Sequence, residues 1–165
     1  MPDNSTDATP AIDLQISVEG GDWPSEDALQ DLAQRAIEAS FAQVGDLEPG
    51  QTVSILFTDD ETIRDLNARF RNKDKSTNVL SFPGPEDAPF PGIPPHLGDI
   101  ALAYETIVRE AQAEGKPFEH HLTHLIVHGF LHLAGYDHIE PEEAEEMEGL
   151  ERIILQGLAI SDPYD

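Results

Sequence analysis

The stretch HHLTHLIVHGFLHLAGYDH spans residues 120–138 and predicts a helix that carries several histidines. Pro117 can begin this helix at about residue 118, and Gly135 can end it after about residue 134. Gly135 also allows the chain to reverse, because a residue without a Cβ tolerates positive φ. His128 and His132 are four residues apart, so they lie one turn above each other on one face of the helix.

A third histidine, His138, follows the turn and can return to the same face as His128 and His132. Three neutral imidazoles with a fourth position open to water form a catalytic zinc arrangement. The chain has no Cys, so thiolate ligands and disulfides are excluded. These residues therefore predict one zinc ion held by His128, His132 and His138, with nickel or another divalent metal not excluded. A structural metal is the alternative.

The spacing H-x-x-x-H-x-x-G-x-x-H is that of the metzincin proteases, with one change. Those enzymes have a Glu directly after the first His as general base, and here that position is Gly129. Glycine inside a helix costs about 1 kcal/mol relative to Ala, which indicates that another group approaches closely at this point. A metzincin-like metalloprotease is therefore disfavoured.

The other histidines are interpreted separately from the three predicted ligands. His124 lies one turn before His128 but too far from His132 for all three rings to converge easily on one ion. We assign it to packing, hydrogen bonding or support of a metal ligand. His96, His120 and His121 are expected to be ordinary surface or loop residues.

The charge of the chain is unevenly distributed. Nine basic and 33 acidic residues give a net charge of −24, which taken alone argues against a nucleic-acid partner. Five of the nine basic residues nevertheless fall within residues 64–75: Arg64, Arg69, Arg71, Lys73 and Lys75. This cluster predicts a local basic patch, although cations at a helix end can equally be a solvated surface.

The remaining sequence predicts an α+β fold in a single domain over residues 12–165, after an acidic segment, residues 1–11, that is expected to be disordered. About four strands form a mixed sheet that packs against about five helices. Thr58 and Glu61 form a capping-box pattern at the start of the second helix. No run of 18 apolar residues occurs, so we expect a cytoplasmic protein that does not enter a membrane. The predicted strands are residues 12–18, 53–57, 78–82 and 100–103, and residues 83–95 are predicted to be a proline-rich loop.

Two blocks of the sequence resemble the YbeY family of bacterial endoribonucleases and rRNA maturation factors: RNKDKSTNVLSFP, residues 71–83, and HGFLHLAGYDH, residues 128–138. LGDIALA, residues 97–103, also fits the family pattern. The resemblance implies a zinc-bearing α+β domain that cleaves single-stranded RNA, processes the 3′ end of small-subunit rRNA and acts in ribosome quality control. It implies the same three ligands, and it makes Arg71 the functionally important arginine that faces them. It also implies the small ribosomal subunit or ribosome-associated proteins as partners.

The chemistry expected of such a site is phosphodiester cleavage. Arg71 can bind phosphate in a bidentate manner, and Lys73 and Lys75 can hold the RNA backbone. The attacking group, water or the 2′-hydroxyl of the RNA, is left open; Asp137 and Glu140 are candidates for the base, for support of a ligand or for a helix cap. A ribosome assembly factor that binds RNA and holds zinc for structural reasons is the alternative from another class.

Overall fold

The computed structural model describes residues 10–45, 47–85, 95–137 and 139–160, and all structural statements refer to these residues. They form four strands and five helices, which confirms the predicted α+β class with a mixed four-stranded sheet. In chain order the elements are β1 Ile12–Glu19, α1 Glu26–Gln43, β2 Gln51–Thr58, α2 Asp60–Arg71, β3 Val79–Pro83, β4 His96–Ala103, α3 Tyr104–Glu114, α4 Phe118–Leu133 and α5 Pro141–Gly157.

The sheet has the strand order β1-β2-β4-β3. The pairs β1–β2 and β2–β4 are parallel, whereas β3 is antiparallel to β4 and forms one edge. Successive side chains of a strand point to opposite faces, so Ile100 and Leu102 join the main core while Ala101 and Ala103 join a smaller one with α2. Helix α2 therefore covers one face of the sheet, and the main core lies on the other.

Helix α4 lies in the main core. Its side chains Leu122, Ile126, Val127, Phe130 and Leu131 are completely buried, so the helix is apolar around most of its circumference. Burial of such side chains contributes roughly 1.5–3 kcal/mol each relative to leaving them exposed. The position of α4 is therefore fixed by the core rather than by its histidines.

All four strands differ from their predicted bounds at one or both ends, and so does the start of helix α2. Strand β4 begins at His96, four residues earlier than expected, because residues 96–99 already pair with β2 and β3. Helix α2 is capped by Asp59, whose carboxylate accepts from the Thr62 N–H at 2.8 Å. The prediction of Thr58 as the cap was wrong, because Thr58 is the last residue of β2 and its hydroxyl donates to the Glu19 carbonyl.

Ala11 is the last residue of the segment predicted to be disordered, and it belongs to the described residues. The Ala11 N–H donates to the Glu38 carboxylate at 3.1 Å, and its carbonyl accepts from Gly50, so residue 11 is already bonded to the fold. Residues 1–9 and residues 86–94 of the predicted loop lie outside the described residues. Within the described ranges, no helix is both long and apolar enough to cross a membrane.

Candidate functional site

One stripe of α4 is not buried in the core. His124, His128 and His132 recur every four residues along it and are only partly buried, whereas their neighbours on the other sides of the helix are buried. The rings of His128 and His132 pack edge to face with centroids 4.6 Å apart. The i, i+4 spacing thus places two of the three predicted ligands side by side, as expected.

The hydrogen bonds of these two rings define which nitrogens can bind a metal. His132 Nδ1 donates to the Tyr136 carbonyl at 3.1 Å, since a carbonyl oxygen can only accept. His128 Nδ1 donates to the carboxylate of Glu151 at 3.0 Å. With both protons on Nδ1, the two Nε2 atoms carry lone pairs, and they lie 3.1 Å apart.

This spacing fits a shared metal ion. Two nitrogens bound to one tetrahedral zinc at 2.0–2.1 Å are separated by about 3.3 Å. Gly135, at φ +103°, reverses the chain and brings the Tyr136 carbonyl back to His132, which confirms the predicted turn. His138 lies outside the described residues, and within residues 10–45, 47–85, 95–137 and 139–160 no set of three His, Asp or Glu converges on one point.

The fully buried carboxylate of Glu151, in α5, was not identified from the sequence. Its Oε2 accepts from His128 and its Oε1 accepts from His124 Nε2 at 2.6 Å. This confirms a hydrogen-bonding role for His124. A signal was available, because Glu151 falls at helical spacing between the buried residues Met147 and Ile154. It was missed because the surrounding run of glutamates indicates a solvated face.

A second His–Glu pair lies nearer the start of α4. His121 is only 5% exposed, and its Nε2 bonds the Glu110 carboxylate of α3 at 2.8 Å. The expectation of a surface or loop histidine was therefore wrong for His121, because α3 covers this part of the helix. It was also wrong for His96, which is the first residue of β4 and bonds Thr52 at 2.7 Å.

Gly129 lies close to side chains of the sheet. A Cβ at this position would stand 3.1 Å from Ile100 Cγ2 and 3.2 Å from Ser81 Oγ. The Ser81 hydroxyl donates to the Gly129 carbonyl at 3.2 Å. The close approach predicted from this glycine is confirmed, and the approaching groups are side chains of the sheet. A Glu would collide with the sheet here, so the base of a metzincin protease has no room.

An open cleft of about 630 Å³ lies beside the two histidines. His128, His132 and Tyr136 line this cleft together with residues of β3, the end of α2 and the loop between them. Arg71, Lys73 and Lys75 are among these lining residues, although more than 50 residues of sequence separate them from the histidines. The fold therefore brings the predicted basic residues and two predicted ligands into one cleft.

The basic side of the cleft is shaped by Asn67. Helix α2 ends at Arg71, and Asn72 adopts a left-handed conformation at φ 59° that redirects the chain. The buried Asn67 then accepts from the Lys73 N–H at its carbonyl and donates from Nδ2 to the Lys75 carbonyl at 2.9 Å. The sequence pattern predicts only that Asn67 lies in the helix, because periodicity does not indicate the loop that it organises.

The five clustered cations divide into two groups. Arg64 pairs with Asp74 at 2.8 Å and Arg69 pairs with Asp65 at 3.1 Å. The hydrogen bond from Arg64 holds the pKa of the Asp74 carboxyl below its ordinary value. By contrast, the three cations that line the cleft form no ion pair with any described residue. Their charge remains available to an anionic ligand.

The two candidate bases occupy different places. Asp137 lines the cleft next to Tyr136. Glu140 is the residue before α5, and its backbone N–H donates to the Glu143 carboxylate at 3.2 Å in a capping box. Glu140 therefore serves as a helix cap, which leaves Asp137 as the described candidate that lines the cleft.

Comparison with known sequences finds similarity over most of the chain. The family described as endoribonuclease YbeY matches residues 15–159 of the chain. A protein named endoribonuclease YbeY from Chelativorans sp. is 61% identical over 158 residues, covering 95% of this chain and 96% of that protein. A protein of the same name from Sinorhizobium fredii is 57% identical over 163 residues, covering 93% of this chain and 92% of that protein.

A solved structure shares the fold. The solution structure of a protein from Thermotoga maritima superposes with a TM-score of 0.52 at 28% sequence identity. The alignment covers 92% of this chain and 99% of that protein. The similarity in sequence thus extends to the arrangement of the sheet and helices.

Proposed function

The chain belongs to the YbeY endoribonuclease family, and on that premise we propose that it is a zinc-dependent endoribonuclease that processes rRNA. The substrate is single-stranded RNA at the 3′ end of small-subunit rRNA, and the same activity serves ribosome quality control. Such a substrate implies action in the cytoplasm, with the small ribosomal subunit or ribosome-associated proteins as partners.

The observation that carries this proposal is the shared cleft of Arg71 and the histidine pair. A phosphodiester in the cleft could contact the Arg71 guanidinium, and a zinc held by the histidines would supply a second electrostatic contact. Since cleavage places negative charge on the nonbridging oxygens, both contacts become stronger in the transition state. We assign the metal to His128, His132 and His138.

Each group of the chain has a separate role in this proposal. A bound zinc supplies Lewis acidity and lowers the pKa of a coordinated water. Arg71 binds a phosphate oxygen pair through its planar guanidinium, whereas Lys73 and Lys75 hold neighbouring phosphates as point charges. We assign to Asp137, which lines the cleft, the acceptance of a proton from the attacking group. Hydrogen bonds from Nδ1 of His128 to Glu151 and from Nδ1 of His132 to the Tyr136 carbonyl orient the two rings.

The alternative function is RNA binding by a ribosome assembly factor with a structural zinc. The partial exposure of His128 and His132 beside a large open cleft favours a catalytic metal, because structural zinc sites are closed by four protein ligands. The hydrophobic core around α4 also includes neither His128 nor His132. Both observations favour the enzyme.

The variant His132→Ala tests the two functions against each other. For a catalytic metal, we expect a folded protein that has lost zinc and RNA cleavage, measured by circular dichroism, metal analysis and digestion of a single-stranded RNA. For a structural metal, the variant unfolds. A folded, zinc-free variant that still cleaves RNA would refute the proposed function.

The termini of the products identify the attacking group. Attack by water leaves a linear phosphate, whereas attack by the 2′-hydroxyl leaves a 2′,3′-cyclic phosphate. An RNA with a single 2′-deoxy nucleotide at the scissile position is cleaved only in the first case. Mass spectrometry of the fragments measures both outcomes.

A further inference from the structure

Glu151 is a fully buried carboxylate that does not itself line the cleft but bonds His128, which does. An ionised carboxylate in an apolar interior is costly unless it is paired and hydrogen-bonded. Glu151 lies in α5 between the buried residues Met147 and Ile154 at helical spacing. Apolar packing alone therefore does not account for a carboxylate at this position.

Two hydrogen bonds of Glu151 connect α5 with α4 through the imidazoles of His124 and His128. Oε2 accepts from His128 Nδ1 at 3.0 Å, and Oε1 accepts from His124 Nε2 at 2.6 Å. The His124 side chain is 14% exposed and the Glu151 side chain 1%, so this second bond is shielded from water. His124 thus fixes one oxygen of the carboxylate while the other oxygen faces His128.

We propose that Glu151 is a positioning residue that fixes the tautomer of His128 and thereby sets the affinity of the site for zinc. A carboxylate that only accepts requires the proton of His128 to be on Nδ1. The lone pair then lies on Nε2, 3.1 Å from Nε2 of His132. This inference rests on the proposed function, because it takes His128 as a metal ligand.

The substitution Glu151→Gln separates this role from packing. Glutamine has nearly the same shape, but its amide presents one acceptor and one donor group. With the acceptor on His124, the amide NH₂ faces His128 and favours a proton on Nε2, where the metal has to bind. Partners of this kind typically change metal affinity by about 10–100-fold. We therefore expect Glu151→Gln to weaken zinc binding by about that factor.

Glu110→Gln is a matched control at the contact between α3 and α4. Glu110 also accepts a hydrogen bond from a buried histidine of α4, His121, at 2.8 Å. His121 is not one of the predicted ligands. The control variant breaks a similar His–carboxylate contact, and we expect unchanged zinc affinity.

The experiment uses the full chain stripped of metal. Zinc affinity is measured by competition with a chromophoric chelator, and long-range ¹H–¹⁵N spectra of the imidazoles report the tautomer of His128 without metal. We expect Nδ1–H in the wild type and loss of this preference in Glu151→Gln. A folded variant with unchanged tautomer and unchanged zinc affinity would overturn the inference.

Two further results are possible. If the wild-type chain binds no zinc, the proposed function fails, while the tautomer measurement still tests the role of Glu151. If Glu151→Gln does not fold, Glu151→Asp replaces it. The shorter Asp carboxylate cannot bridge both rings, so we expect weaker zinc binding, and unchanged affinity would overturn the inference.

Discussion

At the scale of single residues, Arg71 is the cation whose removal tests the cleft most directly. It is exposed at the end of α2 and forms no ion pair with any described residue. We expect Arg71→Ala to lower the rate of RNA cleavage by about 10²–10³-fold, the usual effect of removing one group that stabilises transition-state charge. Single-turnover kinetics with saturating enzyme measure this loss.

Arg69→Ala is the control for Arg71→Ala. Arg69 belongs to the same helix turn but pairs with Asp65 at 3.1 Å, so its charge is already balanced. We expect little change in cleavage for this variant and an intermediate rate for Arg71→Lys, which keeps the charge but loses the bidentate geometry. Equal losses in Arg69→Ala and Arg71→Ala would mean that only general charge matters.

Gly129 and Gly149 give a second residue-scale prediction. Both lie inside helices, where Ala is intrinsically favoured by about 1 kcal/mol. A Cβ at Gly149 meets nothing within 4 Å, whereas a Cβ at Gly129 meets Ile100 at 3.1 Å and Ser81 at 3.2 Å. We expect Gly149→Ala to raise the free energy of unfolding. For Gly129→Ala we expect no such increase, because the close contacts with Ile100 and Ser81 offset the helix preference of Ala. Urea denaturation measures both.

Larger side chains at Gly129 extend this comparison. Overpacking of a core typically costs about 1–3 kcal/mol, and a buried, unpaired carboxylate costs more. Gly129→Glu would therefore destabilise the fold rather than create a protease. A stable Gly129→Glu variant that cuts peptides would contradict the close approach of α4 to the sheet.

At the scale of elements, Asp59 determines where α2 begins. Its carboxylate accepts from the Thr62 N–H, and this hydrogen bond is the largest cause of the lowered pKa of Asp59. Loss of such a cap costs about 1 kcal/mol. We expect Asp59→Ala to lower the free energy of unfolding by this amount near neutral pH, with Asp59→Asn less affected.

The pH dependence of this cap has a defined sign. Because the pKa is lower in the folded state, the stabilisation by ionised Asp59 is fully present above the unfolded value of about 3.9. It is lost as the pH falls through the folded pKa. The stability difference between wild type and Asp59→Asn should therefore shrink below about pH 4. A difference that grows on acidification would contradict the assignment.

The elements differ in how well periodicity predicts them. Helix α4 follows from its apolar pattern and from Pro117 and Gly135, and the structure confirms it over Phe118–Leu133. The start of α2 does not follow, because Thr58 and Asp59 are both good caps. Only the pairing of β2 with its neighbour decides between them, since the Thr58 hydroxyl is used by the Glu19 carbonyl.

At the scale of the whole molecule, the net charge of −24 opposes RNA binding outside the cleft. Arg71, Lys73 and Lys75 can neutralise roughly three phosphates, and each contact with a single strand contributes about −0.7 to the slope of log K against log salt. We expect weak binding of free RNA with a slope near −2. Fluorescence anisotropy at several salt concentrations measures both quantities.

A double substitution checks this estimate. Lys73→Gln combined with Lys75→Gln should reduce the slope to about −0.7, while Arg64→Gln, which removes an already paired cation, should not change it. We also expect poor cleavage of free RNA and faster cleavage of ribosomal particles, because a partner has to position the substrate. Tight binding of unrelated RNA at physiological salt would refute this account.

The sequence by itself determined the α+β class, the helix of histidines, the turn at Gly135 and the basic segment around Arg71. These features depend on neighbours within a few positions of the chain, where periodicity and backbone freedom act. The resemblance of two motifs then indicated the family. The zinc ion and the roles of His128, His132, His138, Arg71, Lys73 and Lys75 remain predictions.

Only the tertiary structure decided which distant groups meet. It brought Arg71 and His128 into one cleft, buried Glu151 between two imidazoles and placed Gly129 against Ser81. Each of these contacts joins elements that are far apart in sequence. They depend on how helices pack on the sheet, and the free energy of that packing comes from the whole core rather than from any local pattern.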